Sequence, residues 1–185
     1  DIYVCNDSSS PDRFWINDGR GNFKAASYYA LRHTSRSSMG IDFSDINNDG
    51  NVDMFIVDML AIDHDRRLLN LDIEKQEPYI PGQTKNIPRY NRNSMLLSRG
   101  DGTWFDIANY SGLEASDWSW SVIFIDLDLD GREDILISNG FSFNIMDIDS
   151  KNRITNLQKN KILSKEEKSK LQSKRPLWES VNCAF

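Results

Sequence analysis

The sequence is short of several things that define common function classes. Its 185 residues hold only Cys5 and Cys183, so it is no disulfide scaffold, and their pairing stays open. No apolar run approaches the roughly 18 residues needed to span a membrane as a helix. The opening residues Asp1-Ile2-Tyr3-Val4 read as strand rather than as a leader. Only two histidines are present, His33 and His64, both in polar stretches with no nucleophile beside them. No Gly-x-Ser-x-Gly elbow exists, so the serines of 8–10 and 35–38 read as loop residues. A net charge of −6 argues against nonspecific nucleic-acid binding.

Aromatics at 11% and hydrophobics at 39% supply a packed core and exclude wholesale disorder. The charge is unevenly spread. Lys151 to Arg175 carries nine Lys and Arg against Glu166 and Glu167, a local +7, which leaves −13 elsewhere. Much of that negative charge sits in two short Asp-rich stretches. Like charges so close repel, and a bound cation offsets the cost of folding them together.

Those stretches repeat. Asp45-Ile46-Asn47-Asn48-Asp49-Gly50-Asn51-Val52-Asp53 matches Asp126-Leu127-Asp128-Leu129-Asp130-Gly131-Arg132-Glu133-Asp134 at an offset of 81 residues. The same offset takes Gly19-Arg20-Gly21-Asn22-Phe23 to Gly100-Asp101-Gly102-Thr103-Trp104, and Phe43 to Phe124. Short apolar runs flank the acidic loops: Ile41–Phe43 and Met54–Val57 at the first, Val122–Ile125 and Asp134–Ile137 at the second. Arg13–Ile16 with Asn22–Lys24, and Ser94–Leu97 with Trp104–Ile107, read as a second type of hairpin around glycine turns. Two hairpins make four antiparallel strands per unit, the pattern of a propeller blade.

The predicted fold is therefore all-β: a partial β-propeller of four-stranded antiparallel blades with calcium loops in the hairpins and a short helical insertion. Residues 1–38 read as the end of one blade. Residues 39–117 read as a complete blade with an insertion at about 59–92. Residues 118–185 read as a partial blade with a helical, basic insertion at about 140–180. Ser164-Lys165-Glu166-Glu167 has the capping-box spacing, so a helix is expected to begin there. Asp1 stands where Asp53 and Asp134 stand, and Asn182–Phe185 resembles Asn93–Leu96. Both ends thus read as parts of further blades of the same propeller.

The acidic loops place oxygen at alternate positions. Asp45, Asn47, Asp49 and Asp53 offer side-chain oxygens and Asn51 its carbonyl; Asp126, Asp128, Asp130 and Asp134 do the same, with the Arg132 carbonyl. A flexible all-oxygen shell suits Ca²⁺ better than Mg²⁺ or a transition metal, and the lack of His or Cys disfavours zinc. The expectation is two structural Ca²⁺ sites. Closure at position nine, with Ile56 or Ile137 at position twelve, excludes an EF-hand, and strand-borne loops disfavour a calcium sensor. The bland alternative is that such clusters are ordinary turns; two in one register weigh against it.

Three further features have mainly structural readings. Trp118 and Trp120 stack on a sugar or pack between blades. Asp42 and Asp58 reach towards a second shell or a cleft, or fill surface and turn roles. Lys159 to Arg175 meets an acidic partner or is a solvated helical face.

With Asn-x-x-Gly-x-Gly-x-Phe hairpins beside Asp-x-Asp-x-Asp-Gly-x-x-Asp loops, the chain resembles the FG-GAP/VCBS repeats of integrin-α-like propellers. Ser38–Asp45, Val57–Leu60, Asp117–Trp120 and Ser138–Gly140 bring it nearest to VCBS-repeat proteins associated with ASPIC/UnbV domains, the cartilage acidic protein type. The resemblance implies a seven-bladed propeller, calcium in the blade hairpins, and an exported protein: extracellular, cell-surface or periplasmic. The two loops and the repeat carry the expectation of a non-enzymatic adhesion or ligand-binding module for a protein or glycan. The alternative is the propeller of a carbohydrate-active enzyme, a polysaccharide lyase or hydrolase.

Overall fold

The computed structural model of the chain describes residues 1–7, 10–69, 87–141, 143–144, 147–160, 164–177 and 180–185. In chain order its elements begin with β1 (Ile2–Val4), β2 (Arg13–Asn17), β3 (Phe23–Ala25), α1 (Tyr28–Leu31) and β4 (Thr34–Ser35). Next come β5 (Gly40–Ser44), β6 (Asp53–Val57), α2 (His64–Leu69), β7 (Arg89–Tyr90), β8 (Ser94–Ser98) and β9 (Trp104–Asp106). The rest are α3 (Ala108–Ser111), β10 (Ser119–Ile125), β11 (Asp134–Asn139), α4 (Ile148–Asn160), α5 (Lys165–Gln172) and β12 (Cys183–Ala184).

Three antiparallel sheets follow the expected hairpins. The first has the order β1-β2-β3, the second β5-β6-β8-β9 and the third β10-β11-β12. Both acidic loops join neighbouring strands, β5 to β6 and β10 to β11. A small parallel pair, β4 with β7, ties the segment before β5 to the segment before β8. Among the described residues the sheets close into no barrel or ring.

Register shows why the strands alternate as they do. In the second sheet Asp42, Phe55 and Met95 lie opposite one another on one face, and Phe43, Met54 and Leu96 on the other. The first of these faces packs Phe55, Val57 and Met95 against Val122, Phe124, Ile135 and Ile137 of the third sheet. The second packs Met54, Ile56 and Leu96 against Phe14 of the first sheet and Ala30 and Leu31 of α1. Burying a side chain such as Phe55, fully enclosed here, contributes about 1.5–3 kcal/mol. Gly40 sits at the closest approach: a Cβ there would meet Ser121 Cα and Trp120 O at 3.1 Å. Small size is therefore required where β5 passes β10.

A recurring bond closes each unit. The side-chain oxygen of the residue just before the second hairpin accepts an N–H at or just past the end of the inner strand. The pairs are Asp12 with Asn6 (2.8 Å), Asn93 with Asp58 (2.8 Å) and Asn182 with Asn139 (2.9 Å). The Asp1 position repeats too: Asp1 accepts from Asn17 N–H at 2.8 Å, as Asp53 accepts from Ser98 N–H at 2.8 Å.

The fold is mostly β rather than all-β. The predicted helix at Ser164 is present as α5, and its capping box is complete: Ser164 accepts from Glu167 N–H while Glu167 accepts from Ser164 N–H. Among the described residues, α1, α2 and α3 were not expected, while α4 falls in the insertion read as helical at about 140–180, where only the helix at Ser164 had been placed. The longest, α4, is held at its start by Asp147, which accepts from the Ser150 hydroxyl at 2.7 Å and from its N–H at 3.3 Å. Of the insertion expected at about 59–92, residues 70–86 lie outside the described residues; α2 occupies its start. In the 140–180 insertion, residues 142, 145–146, 161–163 and 178–179 lie outside them as well.

Candidate metal centre

Each acidic loop is shaped by its own backbone. In the first, Asp45 takes the N–H of Asp49 (2.9 Å) on one oxygen and of Gly50 (2.8 Å) on the other. Asn47 accepts from Asp49 N–H (3.1 Å), Asp49 from Asn51 N–H (2.8 Å), and Asp53 from Ile46 N–H (3.3 Å). The second loop repeats all five bonds 81 positions on. Asp126 accepts from Asp130 and Gly131, Asp128 from Asp130, Asp130 from Arg132, and Asp134 from Leu127, at 2.8–3.1 Å. Positions four and six are left-handed in both: Asn48 (φ 56°) and Gly50 (φ 85°), Leu129 (φ 63°) and Gly131 (φ 87°). Bending the chain at these two points turns the odd-numbered side chains to one side.

The consequence is sharpest in the second loop. One carboxylate oxygen from each of Asp126, Asp128 and Asp130 lies within 4.8 Å of the others. Ligands on opposite sides of a calcium ion with bonds of about 2.4 Å lie about 4.8 Å apart at most. The spacing and the all-oxygen donor set therefore fit that cation. In the first loop Asn47 substitutes an amide, whose NH₂ donates to Asp49 at 3.0 Å, and the Asn51 amide donates to Asp49 at 2.9 Å. These donors, led by the Asn51 N–H, hold the exposed Asp49 carboxyl below its ordinary pKa.

The ninth positions differ. Asp53 is fully buried, and its second oxygen takes Ser98 N–H. Burial pushes its carboxyl above the ordinary range against the pull of those amides, and Asp49 and Asp45 push the same way as burial. Asp134 is half-buried. The loops touch at one point: the Ser44 hydroxyl, just before Asp45, donates to Glu133, just before Asp134.

Asp42, Asp58 and the two tryptophans each meet specific partners. Asp42 accepts Phe124 N–H at 2.8 Å, joining β5 to β10. Asp58 is neither a surface nor a turn group. It is fully buried, and it accepts from the Ser35 hydroxyl and from the N–H groups of Arg36 (3.0 Å), Ser37 (2.9 Å) and Met59. Trp118 is buried while Trp120 is 42% exposed, because a bulge between Ser119 and Ser121 reverses the alternation. Trp118, Trp120 and Phe141 form one aromatic group beside Met59 and Ala61. Cys5 and Cys183 are free thiols in different core clusters and do not meet.

One partly buried cluster was missed. His33, isolated in sequence, lies 2.9 Å from Asp106, and Arg92 approaches the same carboxylate oxygen at 2.6 Å. Burial alone would push Asp106 up, but His33, the Ala108 N–H and Arg92 hold it below its ordinary value. The pairing spans 73 residues of chain, so no local signal marks it.

The profile of the FG-GAP-like repeat matches residues 1–56 and 86–137, more than half of the chain. Both acidic loops and all three sheets contribute to the matched stretches. Neither a curated protein nor a solved structure matches the chain.

Proposed function

Because the chain belongs to the FG-GAP-like repeat family, we propose that it is a stretch of a calcium-stabilised β-propeller, with one Ca²⁺ in each acidic loop. Asp45, Asn47, Asp49, Asp53 and the Asn51 carbonyl hold the first ion. Asp126, Asp128, Asp130, Asp134 and the Arg132 carbonyl hold the second. The observation that carries this reading is the pair of loops with five matching backbone bonds and three second-loop carboxylates gathered within 4.8 Å. The ion's part is structural. It offsets loop charges of −3 and −4 and fixes the turn between two strands of one sheet.

Such loops are akin to those of extracellular modules, which bind calcium at about 10⁻⁴–10⁻³ M, a level met outside the cytoplasm. That supports an extracellular, cell-surface or periplasmic setting and a role in adhesion or in binding a protein or glycan. The nearer likeness to ASPIC/UnbV-associated proteins belongs to the same reading. The family is typically non-catalytic, and a glycan panel with product analysis separates binding from a lyase or hydrolase.

The metal claim is tested by thermal unfolding in calcium and in chelator. Calcium should raise Tm, and Asp126→Ala or Asp130→Ala should remove most of the rise. Coincident melting curves for the unmodified chain would remove the claim.

A further inference from the structure

The most basic stretch of the chain, Lys151 to Arg175, has no part in the proposed function. It lies in an arm that leaves the third sheet after β11, carries α4 and α5, and returns before β12. The base of the arm is closed by a bridge between Phe143 and Leu177 and by the Asn144 N–H, which donates to the Pro176 carbonyl at 2.8 Å. Among the described residues neither helix buries a side chain. Packing therefore does not account for the helices. The joints between sheets are apolar, so a cationic arm is not what a further blade would cover.

The arm's cations are left available. Its Asp147 and Glu167 are committed to helix caps, at the starts of α4 and α5. Elsewhere in the chain Arg66, Arg67 and Arg92 each approach a carboxylate. Arg153, Lys159, Lys165, Lys168, Lys170 and Lys174 are exposed and, among the described residues, approach none. They also face several ways. At 3.6 residues per turn, Lys170 stands nearly opposite Lys165 and Lys168 on α5, and Lys174 lies just past its end.

We infer that the arm binds a linear polysaccharide bearing sulfate or carboxylate groups. This rests on the ligand-binding reading above and names a partner for it, but it uses neither calcium loop. A flexible polyanion wraps around cations on several sides, whereas a flat anionic membrane meets one side only. The helices carry no aromatic residue, so they offer single-stranded nucleic acid nothing to stack on and a protein partner no aromatic anchor. Five of the six free cations are lysines. Their hydrated point charges on flexible stems suit anions spaced loosely along a chain rather than planar bidentate pairing. The −13 carried by the rest of the chain confines such a partner to the arm.

Binding of the full chain to heparin and to polygalacturonate, in chelator and at rising salt, tests this; the two polymers separate sulfate from carboxylate recognition. At least one should bind, and uncharged dextran should not. A variant with Lys165→Gln, Lys168→Gln, Lys170→Gln and Lys174→Gln should bind about tenfold or more weakly, with the slope of log affinity against log salt lowered by about three. The inference is overturned if neither polymer binds, or if phosphatidylserine vesicles or a single-stranded oligonucleotide bind more tightly than both. It is overturned too if the fourfold variant binds as the parent does, a result that keeps the ligand-binding reading and removes the arm from it. If the variant loses helicity by circular dichroism, hydrogen exchange on the unmodified chain with the bound polymer decides: new protection across α4 and α5 supports the contact, and its absence there refutes it. The calcium reading stands apart from all these outcomes, because melting curves test it.

Discussion

The two acidic loops share a backbone and differ in nearly everything else. Five hydrogen bonds and two left-handed positions coincide at the offset of 81. Yet the first loop has Asn47, Asn48 and Asn51 where the second has Asp128, Leu129 and Arg132. Its closing Asp53 is fully buried and bonded to the neighbouring hairpin, whereas Asp134 is half-buried. Loop shape is thus set by positions one, three, five, six and nine. The others are free to tune charge, exposure and strain. Beyond the five shared bonds, the first loop spends more of its acceptors on its own chain, through the Asn47 and Asn51 amides on Asp49 and Ser98 N–H on Asp53.

The largest expected difference concerns position nine. Asp53→Ala strands two amides, those of Ile46 and Ser98, and should cost about 2–4 kcal/mol by urea unfolding in chelator. Asp134→Ala should cost less, and equal losses would erase the distinction between the loops. Calcium should sharpen it in the opposite sense. Saturation at a hundredfold excess over Kd adds about 2.7 kcal/mol per site. By titration calorimetry the second loop should bind more tightly, Asp130→Ala should abolish the tighter site, and Asn47→Asp should strengthen the weaker one.

A smaller effect lies in the pH profile of the metal-free chain. Asp53 titrates above the ordinary carboxylate value of about 3.9 because it is buried. A raised value means the folded state holds the proton more tightly than the unfolded chain. Its contribution is therefore full below that ordinary value and is lost as pH rises through the raised one. Asp53→Asn should remove this component from stability measured as pH rises from the ordinary carboxylate value, and Asp134→Asn should leave it in place. Smallest is Leu129→Asn. Leu129 is 85% exposed and left-handed, so it packs on little and carries strain of about 1 kcal/mol. Asparagine, which the first loop uses at that position, should recover most of this in thermal unfolding, and no gain would show the strain is not there.

Most of the β architecture was legible because the repeat and short apolar runs bounded by turn residues are visible in the sequence itself. Met54–Val57 and Ser94–Leu97 announce strands, and the glycines of 19–21 and 100–102 announce their turns. The helix at Ser164 was legible from its cap. The start of α4 was not read, although Asp147 with Ser150 three residues on is also a capping signal. What sequence hid were contacts made at a distance. Asp58 looks like any loop carboxylate until Ser35, Arg36 and Ser37 fold over it. His33 looks isolated until Asp106 arrives from 73 residues away. The bulge that splits Trp118 from Trp120 depends on pairing with β11, which neither tryptophan encodes.

Of the three residues that close the units, Asp12 alone is an acid, and a single acceptor oxygen suffices for that task in Asn93 and Asn182. Its spare oxygen receives the hydroxyls of Tyr3 at 2.8 Å and Ser38 at 2.6 Å. Ser38 belongs to the segment that leads into the second sheet, so one carboxylate stitches the seam between two modules as well as fastening its own. Trimming it to asparagine would keep the fastener and weaken the stitch, leaving the first module freer to peel away without its neighbour.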